Sequence, residues 1–349
     1  MFNCVCIEAN TKDLKELFLS LPQKLYDKKF LTQNIKVERQ ILNKTHPLSK
    51  DFDIYPFIVL TKSGNVISRC ILTVYPNDEN GYVGFFESVY SSDAVGCMIE
   101  MVKKKAKDLG IVKLIGPVDC SFWIKYRFKV DNFHNIYTGE PYNKEYYQEL
   151  WEKEGFVVSD EYYSNQLRIP VSEDDSGKCK KRLEYVIDKG YDIRNVSKKT
   201  FDKDLKEIFR LLSKLYSGFP VFKMISEEQF ITLYGYFKHI LDYRTVFLAF
   251  KDEKLVGFLI CLPNFKNNNS LWNVLKTRRK AKEYIVLYLG VDNGHLGLGG
   301  AFAELSRKFF EVHKNTSVLA LIHRGNMSGA YYKNLIVDKY NYVLMSLDL

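Results

Sequence analysis

The sequence predicts an α/β (α+β) protein of two domains in tandem, each a mixed twisted sheet flanked by helices. Three observations carry this. At 349 residues the chain exceeds the roughly 250–300 residues at which a single core stops growing. Apolar residues make up 46% and charged residues 27%, the balance of a chain that folds throughout. Apolar runs of strand period also alternate with runs of helical period in both halves, in closely similar order.

In the first half, Cys4 to Ile7 reads as a short strand. A helix is expected over 13–26, where Leu14, Leu17, Phe18 and Leu21 recur at helical spacing. Strands over 57–60 and 66–74 flank Thr61-Lys62-Ser63-Gly64-Asn65, a hairpin signature. A strand over 81–86 leads to a helix from about Asp93, with Val95, Met98, Ile99, Val102 and Ala106 on one face and Gly110 at its end. A strand over 112–115 follows, and a helix crossing between two strands favours parallel pairing. A helix stopped by Gly155 and a strand over 166–169 close this half. Ser172-Glu173-Asp174-Asp175-Ser176-Gly177 is the most turn-prone passage, so the boundary is expected there, giving domains 1–172 and 173–349.

The second half repeats the order: strand 191–196, helices 202–216 and 226–241, strands 245–250, 255–262 and 284–291, helix 301–313, strand 318–322, helix 329–335 and a terminal strand. A divergent duplication, at about 170 residues per unit, accounts for this.

Composition narrows the function classes. The net charge of +9 comes from lysines and arginines interleaved with acids, and no nucleic-acid-reading motif accompanies it. Seven cysteines contain no C-x-x-C and six histidines no H-x-x-x-H, so neither a disulfide framework nor a metal site is expected. No run approaches the roughly 20 apolar residues of a membrane span, and Met-Phe-Asn-Cys-Val-Cys-Ile-Glu has no basic region followed by an apolar core. A cytoplasmic location is expected.

The stretch richest in functional signal follows the strand 284–291: Asp292-Asn293-Gly294-His295-Leu296-Gly297-Leu298-Gly299-Gly300-Ala301. Four glycines in seven residues cost conformational entropy, and a helix that starts on glycines presents unpaired amides and its positive end to an anion. A tight structural turn is the plain alternative. The G-x-G-x-x-G of dinucleotide folds and the Gly-Lys-Ser/Thr of a P-loop are both missing, so another phosphate-bearing ligand is required.

Strand, Val-Asp, turn and Leu296-Gly297-Leu298-Gly299-Gly300-Ala301 at a helix start resemble the coenzyme A loop of the GNAT superfamily of N-acyltransferases. That loop reads Gln/Arg-x-x-Gly-x-Gly/Ala. The resemblance puts Leu296 where a polar residue is usual, Gly299 at the first glycine and Ala301 at the Gly/Ala position. It implies acetyl-CoA or a longer acyl-CoA bound by Leu296, Gly297, Leu298, Gly299, Gly300 and Ala301, with backbone groups of Leu289, Gly290 and Val291 on the pantetheine arm. Asn326 and Tyr332 resemble the Asn and Tyr, six residues apart, of the same superfamily. The resemblance implies Asn326 and Tyr332 as the catalytic pair, with Asn326 also contacting the cofactor and Tyr332 protonating the departing thiolate.

Phe18-Leu19-Ser20-Leu21-Pro22, Ile115-Gly116-Pro117 and Tyr142-Asn143-Lys144-Glu145-Tyr146-Tyr147 further resemble uncharacterised bacterial two-domain GNAT-like proteins. The first half lacks a glycine between Glu87 and Asp93, so its resemblance implies a degenerate unit, an acceptor-side or structural partner. The expected activity is acyl transfer from acyl-CoA to a small-molecule or peptide amine, and Glu283 and His323, at strand ends, are candidate bases. Tyr216, Phe219 and Phe222 are expected to meet the acceptor. Two other readings stay open: a Fem-like aminoacyl-tRNA-dependent transferase, and a catalytically silent acyl-CoA-binding sensor or scaffold.

Overall fold

The computed structural model describes residues 4–174, 177–266, 274, 278–325 and 331–349. They form two compact units. Unit 1 contains β1 (Cys4–Glu8), α1 (Lys12–Leu25), α2 (Ile35–Leu42), β2 (Asp53–Thr61), β3 (Val66–Val74), β4 (Asn80–Ser88), α3 (Ser92–Asp108), β5 (Lys113–Gly116), β6 (Phe128–Lys129) and α4 (Tyr147–Lys153). The next strand, β7 (Val157–Leu167), passes from unit 1 into unit 2. Unit 2 continues with α5 (Lys178–Asp188), β8 (Asp192–Asn195), α6 (Phe201–Tyr216), α7 (Glu227–Tyr234), α8 (Phe237–Ile240), β9 (Val246–Lys251), β10 (Lys254–Pro263), β11 (Glu283–Val291), α9 (Leu298–His313) and β12 (Thr316–His323). The last strand, β13 (Ile336–Asp348), begins in unit 2 and ends in unit 1.

The strands of the two units follow one plan. In unit 1, β1-β2-β3-β4 are antiparallel neighbours, β5 joins β4 in parallel, and the end of β13 pairs antiparallel with β5. In unit 2, β8-β9-β10-β11 are antiparallel, β12 joins β11 in parallel, and residues 162–167 of β7 pair antiparallel with β12. Each unit therefore takes its sixth strand from the other half of the sequence. By contacts, unit 2 comprises Tyr137–Gly139 and Tyr162–Asn341, and the rest of the chain forms unit 1. The turn-prone passage near 172–177 lies inside unit 2, where Asp174 takes a bidentate pair from Arg168 at 2.6 and 2.8 Å.

Amphipathic helices close the cores. The face of α3 formed by Ala94, Val95, Met98, Ile99, Val102 and Ala106 packs on Phe57, Cys70, Leu72 and Val83. On α9, Leu298, Ala301, Phe302 and Phe310 pack on Val256, Leu259, Tyr284 and Leu319. Three expectations change. The helix expected over 226–241 breaks into α7 and α8 around Gly235. Of the helix expected over 329–335, residues 329 and 330 lie outside the described residues, and Lys333–Leu335 form a single 3₁₀ turn with Tyr332 just before it. Finally, the stretch between that polar passage and the strand expected at 191–196 forms α5, a helix that packs on α9.

Candidate functional site

In unit 2, β11 and β12 pair in parallel from Glu283↔Thr316 to Val286↔Leu319. Beyond that point no pairing between them continues among the described residues, although both strands do. Each is bulged where they part. Against β10, Val286 faces Cys261 and Tyr288 faces Ile260, so Leu287 is the extra residue. Against β7, the register of β12 shifts between Leu319 and Ile322, and Leu321 sits at φ 57° with its amide donating to Ser164 Oγ at 2.9 Å. An inserted residue bends its strand and sharpens the twist, so paired bulges open a splay. Burial records the result: Tyr284, Ile285 and Val286 are buried, whereas Leu287, Tyr288 and Leu289 are half-exposed in the middle of a sheet.

The bulge also reassigns the faces of β11. Leu289 and Val291 join the α9 side of the core. Gly290 and Tyr288 face α6, since a Cβ on Gly290 would lie 2.9 Å from Leu215 Cδ1 and the Tyr288 ring meets Tyr216 at 6.2 Å. The Lys214 ammonium donates to both Asp292 carboxylate oxygens at 2.7 and 2.9 Å, tying α6 to the loop after β11.

That loop ends in an uncapped helix start. Gly294 and Gly297 have φ of 88° and 92°, a region that costs L-residues but not glycine. No side chain caps α9, and its first turn contains no acid. The Ala301 amide reaches Gly297 O at 3.0 Å, while the amides of Gly299 and Gly300 donate to nothing among the described residues. Such amides, with the positive end of the helix, suit an anion. The same two glycines admit close neighbours: a Cβ on Gly299 would lie 2.6 Å from Tyr331 Oη, and one on Gly300 would lie 2.4 Å from Arg182 Cδ. Arg182 is exposed on α5 and makes no ion pair among the described residues. Sequence reasoning missed it along with α5, though Cys179, Leu183 and Val186 give the helical spacing.

The other expected residues fall in distinct places. Leu296 is 85% exposed. Asn326 lies outside the described residues. Tyr332 is buried, with its hydroxyl 2.6 Å from Ser306 Oγ and donating to Ala303 O at 2.9 Å. Burial pushes this phenol well above its ordinary value. Glu283 sits at the closed end of the splay, where its carboxylate accepts from Gln166 at 2.7 Å, Thr316 at 3.2 Å and Asn264. His323 ends β12 at the open end, with its ring 5.0 Å from Tyr162 and 6.2 Å from Phe219. Among the described residues no cluster of His, Cys, Asp and Glu is arranged to hold a metal, and no helix is long and apolar enough to cross a membrane.

No family model matches the sequence, and no curated protein matches it. The fold is matched along the chain. A tandem GNAT protein from the clavulanic acid biosynthesis pathway aligns over 100% of this chain and 98% of its own, with a TM-score of 0.55 at 11% identity. The fold is tandem GNAT-like. A GCN5-related N-acetyltransferase from Kribbella flavida aligns over 100% of this chain and 71% of its own, with a TM-score of 0.52 at 8% identity. One from Sphaerobacter thermophilus aligns over 99% and 95%, with a TM-score of 0.50 at 11% identity. Identities this low establish the architecture alone; within that GNAT-like plan, the splay of unit 2 and the glycine-led start of α9 form the candidate site.

Proposed function

We propose that this chain is an acyl-CoA-dependent N-acyltransferase whose cofactor is held by unit 2. One observation carries the reading: the splay between β11 and β12 opens beside a helix start that has no side-chain cap, no acid in its first turn and two glycine amides without a partner among the described residues. The thioester arm would lie in the splay along Leu289, Gly290 and Val291. The pyrophosphate would sit over Leu296, Gly297, Leu298, Gly299, Gly300 and Ala301, and Asn326, outside the described residues, would be a further contact. Leu296 brings no charge, and Arg182 on the neighbouring helix supplies one.

An amine then attacks the thioester carbon, and an amide freed from the β11 ladder by the bulge meets the oxyanion. Tyr332 is the proton donor to the departing thiolate in this reading. Its raised pKa keeps it protonated, and donation requires its hydroxyl to turn away from Ala303 O. Tyr332→Phe should therefore lower kcat by roughly 100-fold at unchanged acyl-CoA affinity; a variant that loses only stability would remove Tyr332 from the mechanism.

The direct test is calorimetric titration with acetyl-CoA and longer acyl-CoAs, wild type beside Gly299→Asp. Binding lost in the variant supports the reading, and a wild type that binds no thioester overturns it. Binding without turnover across an amine panel would leave a silent acyl-CoA sensor, the reading that the apolar Leu296 favours.

A further inference from the structure

The sequence contains Asn-Gly twice, at Asn80-Gly81 and Asn293-Gly294. An asparagine before glycine is open to attack on its side-chain carbonyl by the following amide nitrogen, because glycine puts no side chain in the way and leaves the backbone free to turn. The two pairs stand in opposite settings. Asn80 opens β4, where its side chain and its own amide both donate to Asp78 Oδ1, at 2.9 and 3.1 Å. Gly81 is buried, pairs with Val74 of β3 and with Leu114 of β5, and would bring a Cβ to 3.0 Å from Leu72 Cδ1. The sheet on both sides holds that backbone extended, so the Asn80 side chain cannot fold onto the Gly81 amide.

Asn293 and Gly294 are both exposed. They form the corners of a turn between β11 and α9, closed by the His295 amide on Asp292 O at a long 3.4 Å, with Gly294 at φ 88°. Neither the Asn293 side chain nor the Gly294 amide has a partner among the described residues, and a Cβ on Gly294 would meet no atom within 4 Å. The turn is fixed on either side of this pair. Lys214 holds Asp292, and the Tyr191 hydroxyl lies 2.8 Å from His295 Nδ1. Attacking nitrogen and target carbon are thus adjacent and unhindered, on a loop anchored next to the start of α9.

We propose that Asn293 is a site of spontaneous deamidation, and, resting on the cofactor reading above, that the product weakens anion binding at the start of α9. The Gly294 nitrogen gives up its proton and bonds to Asn293 Cγ, the side-chain carbon–nitrogen bond breaks, and ammonia leaves with that proton. The succinimide then takes up one water. Opening at Cγ leaves aspartate, and opening at the main-chain carbonyl leaves isoaspartate, with one extra carbon in the backbone. No oxidant or reductant takes part. Either product adds a negative charge beside a positive helix end, and Lys214 is already committed to Asp292. Isoaspartate also lengthens the chain just ahead of Gly297.

The test holds the full chain in mildly alkaline buffer at physiological temperature and maps its peptides by mass spectrometry at intervals. The peptide containing Asn293 should gain about 1 Da and become a substrate for an isoaspartate methyltransferase, while the peptide containing Asn80 should do neither. Asn293→Gln, which can close only a larger and slower-forming ring, should stay intact. In acetyl-CoA titrations the aged wild type should bind about fivefold more weakly than the fresh protein, and fresh Asn293→Asp about threefold more weakly, with the Asn293→Asp loss shrinking as salt is added. Aged Asn293→Gln should keep the fresh affinity, which separates this lesion from general ageing. An intact Asn293 after ageing, or faster conversion at Asn80, would overturn the modification site. Converted protein that binds acetyl-CoA as the fresh protein does would overturn its effect on the site. A fresh wild type that binds no thioester would instead overturn the cofactor reading, and the peptide map would still decide the modification.

Discussion

Units 1 and 2 share a sheet order, a parallel pair of strands that parts after a few residues, and a bulge in the fourth strand at the parting point, yet they treat the gap in opposite ways. In unit 1, β4 and β5 pair from Asn80↔Lys113 to Tyr82↔Ile115. The chain after Gly116 then turns back into the gap: the Val118 amide donates to Val83 O at 2.8 Å, and Asp119 accepts from the Phe85 amide at 2.5 Å. The helix that follows, α3, is capped by Ser91 and has Asp93 in its first turn, so its positive end is already answered. Position 87 follows the bulge as position 288 does in unit 2, and there Glu87 accepts from Tyr26 and Tyr147, both at 2.7 Å. In unit 2 the amides of Gly299 and Gly300 have no partner among the described residues, and half-exposed rings stand in the corresponding place. One architecture can thus be a filled scaffold or an open site, and the difference lies in a few residues at the ends of the parallel strands.

The largest way to break this comparison is to push on the filled gap. A Cβ on Gly84 would lie 1.8 Å from Val118 O, so Gly84→Ala must displace backbone and should cost about 3 kcal/mol. Hydrogen exchange should show the loss in β4 and β5 while acyl-CoA affinity remains. A variant of wild-type stability would show that the contact is not required. Next in size is the converse change in unit 2. Gly299→Asp gives α9 the first-turn acid that α3 has, and should weaken acyl-CoA binding by about 100-fold, ~2.7 kcal/mol, through like-charge repulsion. Binding unchanged by this carboxylate would move the pyrophosphate elsewhere.

A third test uses pH. Burial raises the Glu87 carboxyl above its ordinary 4.5, against the opposing pull of Arg69 and Lys125. The folded state therefore binds this proton more tightly than the unfolded state does. Below about 4.5 both forms are protonated, and as pH rises through the raised value, ionising the buried group subtracts stability. Glu87→Gln should lack that fall, so urea unfolding at about pH 4 and about pH 7 should find the variant gaining on the wild type at the higher pH. A constant difference would mean that Glu87 ionises without cost.

Much of the fold was legible in the sequence because the strongest signals are local. Val95, Met98, Ile99 and Val102 mark α3 by period, and Gly64 with Asn65 marks the β2–β3 hairpin. The exchange of sixth strands was not legible, since β7 and β13 read as ordinary strands in sequence and only pairing assigns them to units. At the candidate site, the glycine loop stood out, but the reason for its glycines was half hidden. Gly294 and Gly297 serve positive φ, which local sequence can suggest, whereas Gly299 and Gly300 also admit Tyr331 and Arg182, which are distant along the chain. The bulge at Leu287, which decides what Tyr288 faces, has no composition signal at all.

The smallest effect addresses the one position where the loop departs from the GNAT pattern. Leu296 is 85% exposed and belongs to neither core, so replacing it should leave stability within ~0.5 kcal/mol. Leu296→Arg adds a cation beside an uncapped helix start already approached by Arg182. If a pyrophosphate binds there, acyl-CoA affinity should rise by about fivefold, ~1 kcal/mol at low ionic strength, and the gain should shrink as salt is added. Arg182→Ala should move affinity the other way by a similar factor. If Arg182 already neutralises the pyrophosphate, the two changes should be non-additive, with Leu296→Arg gaining more in the Arg182→Ala background than in the wild type. Affinity indifferent to both would mean that the anion, if one binds, is held by the amides of Gly299 and Gly300 alone, and the apolar residue at 296 would then cost the site nothing.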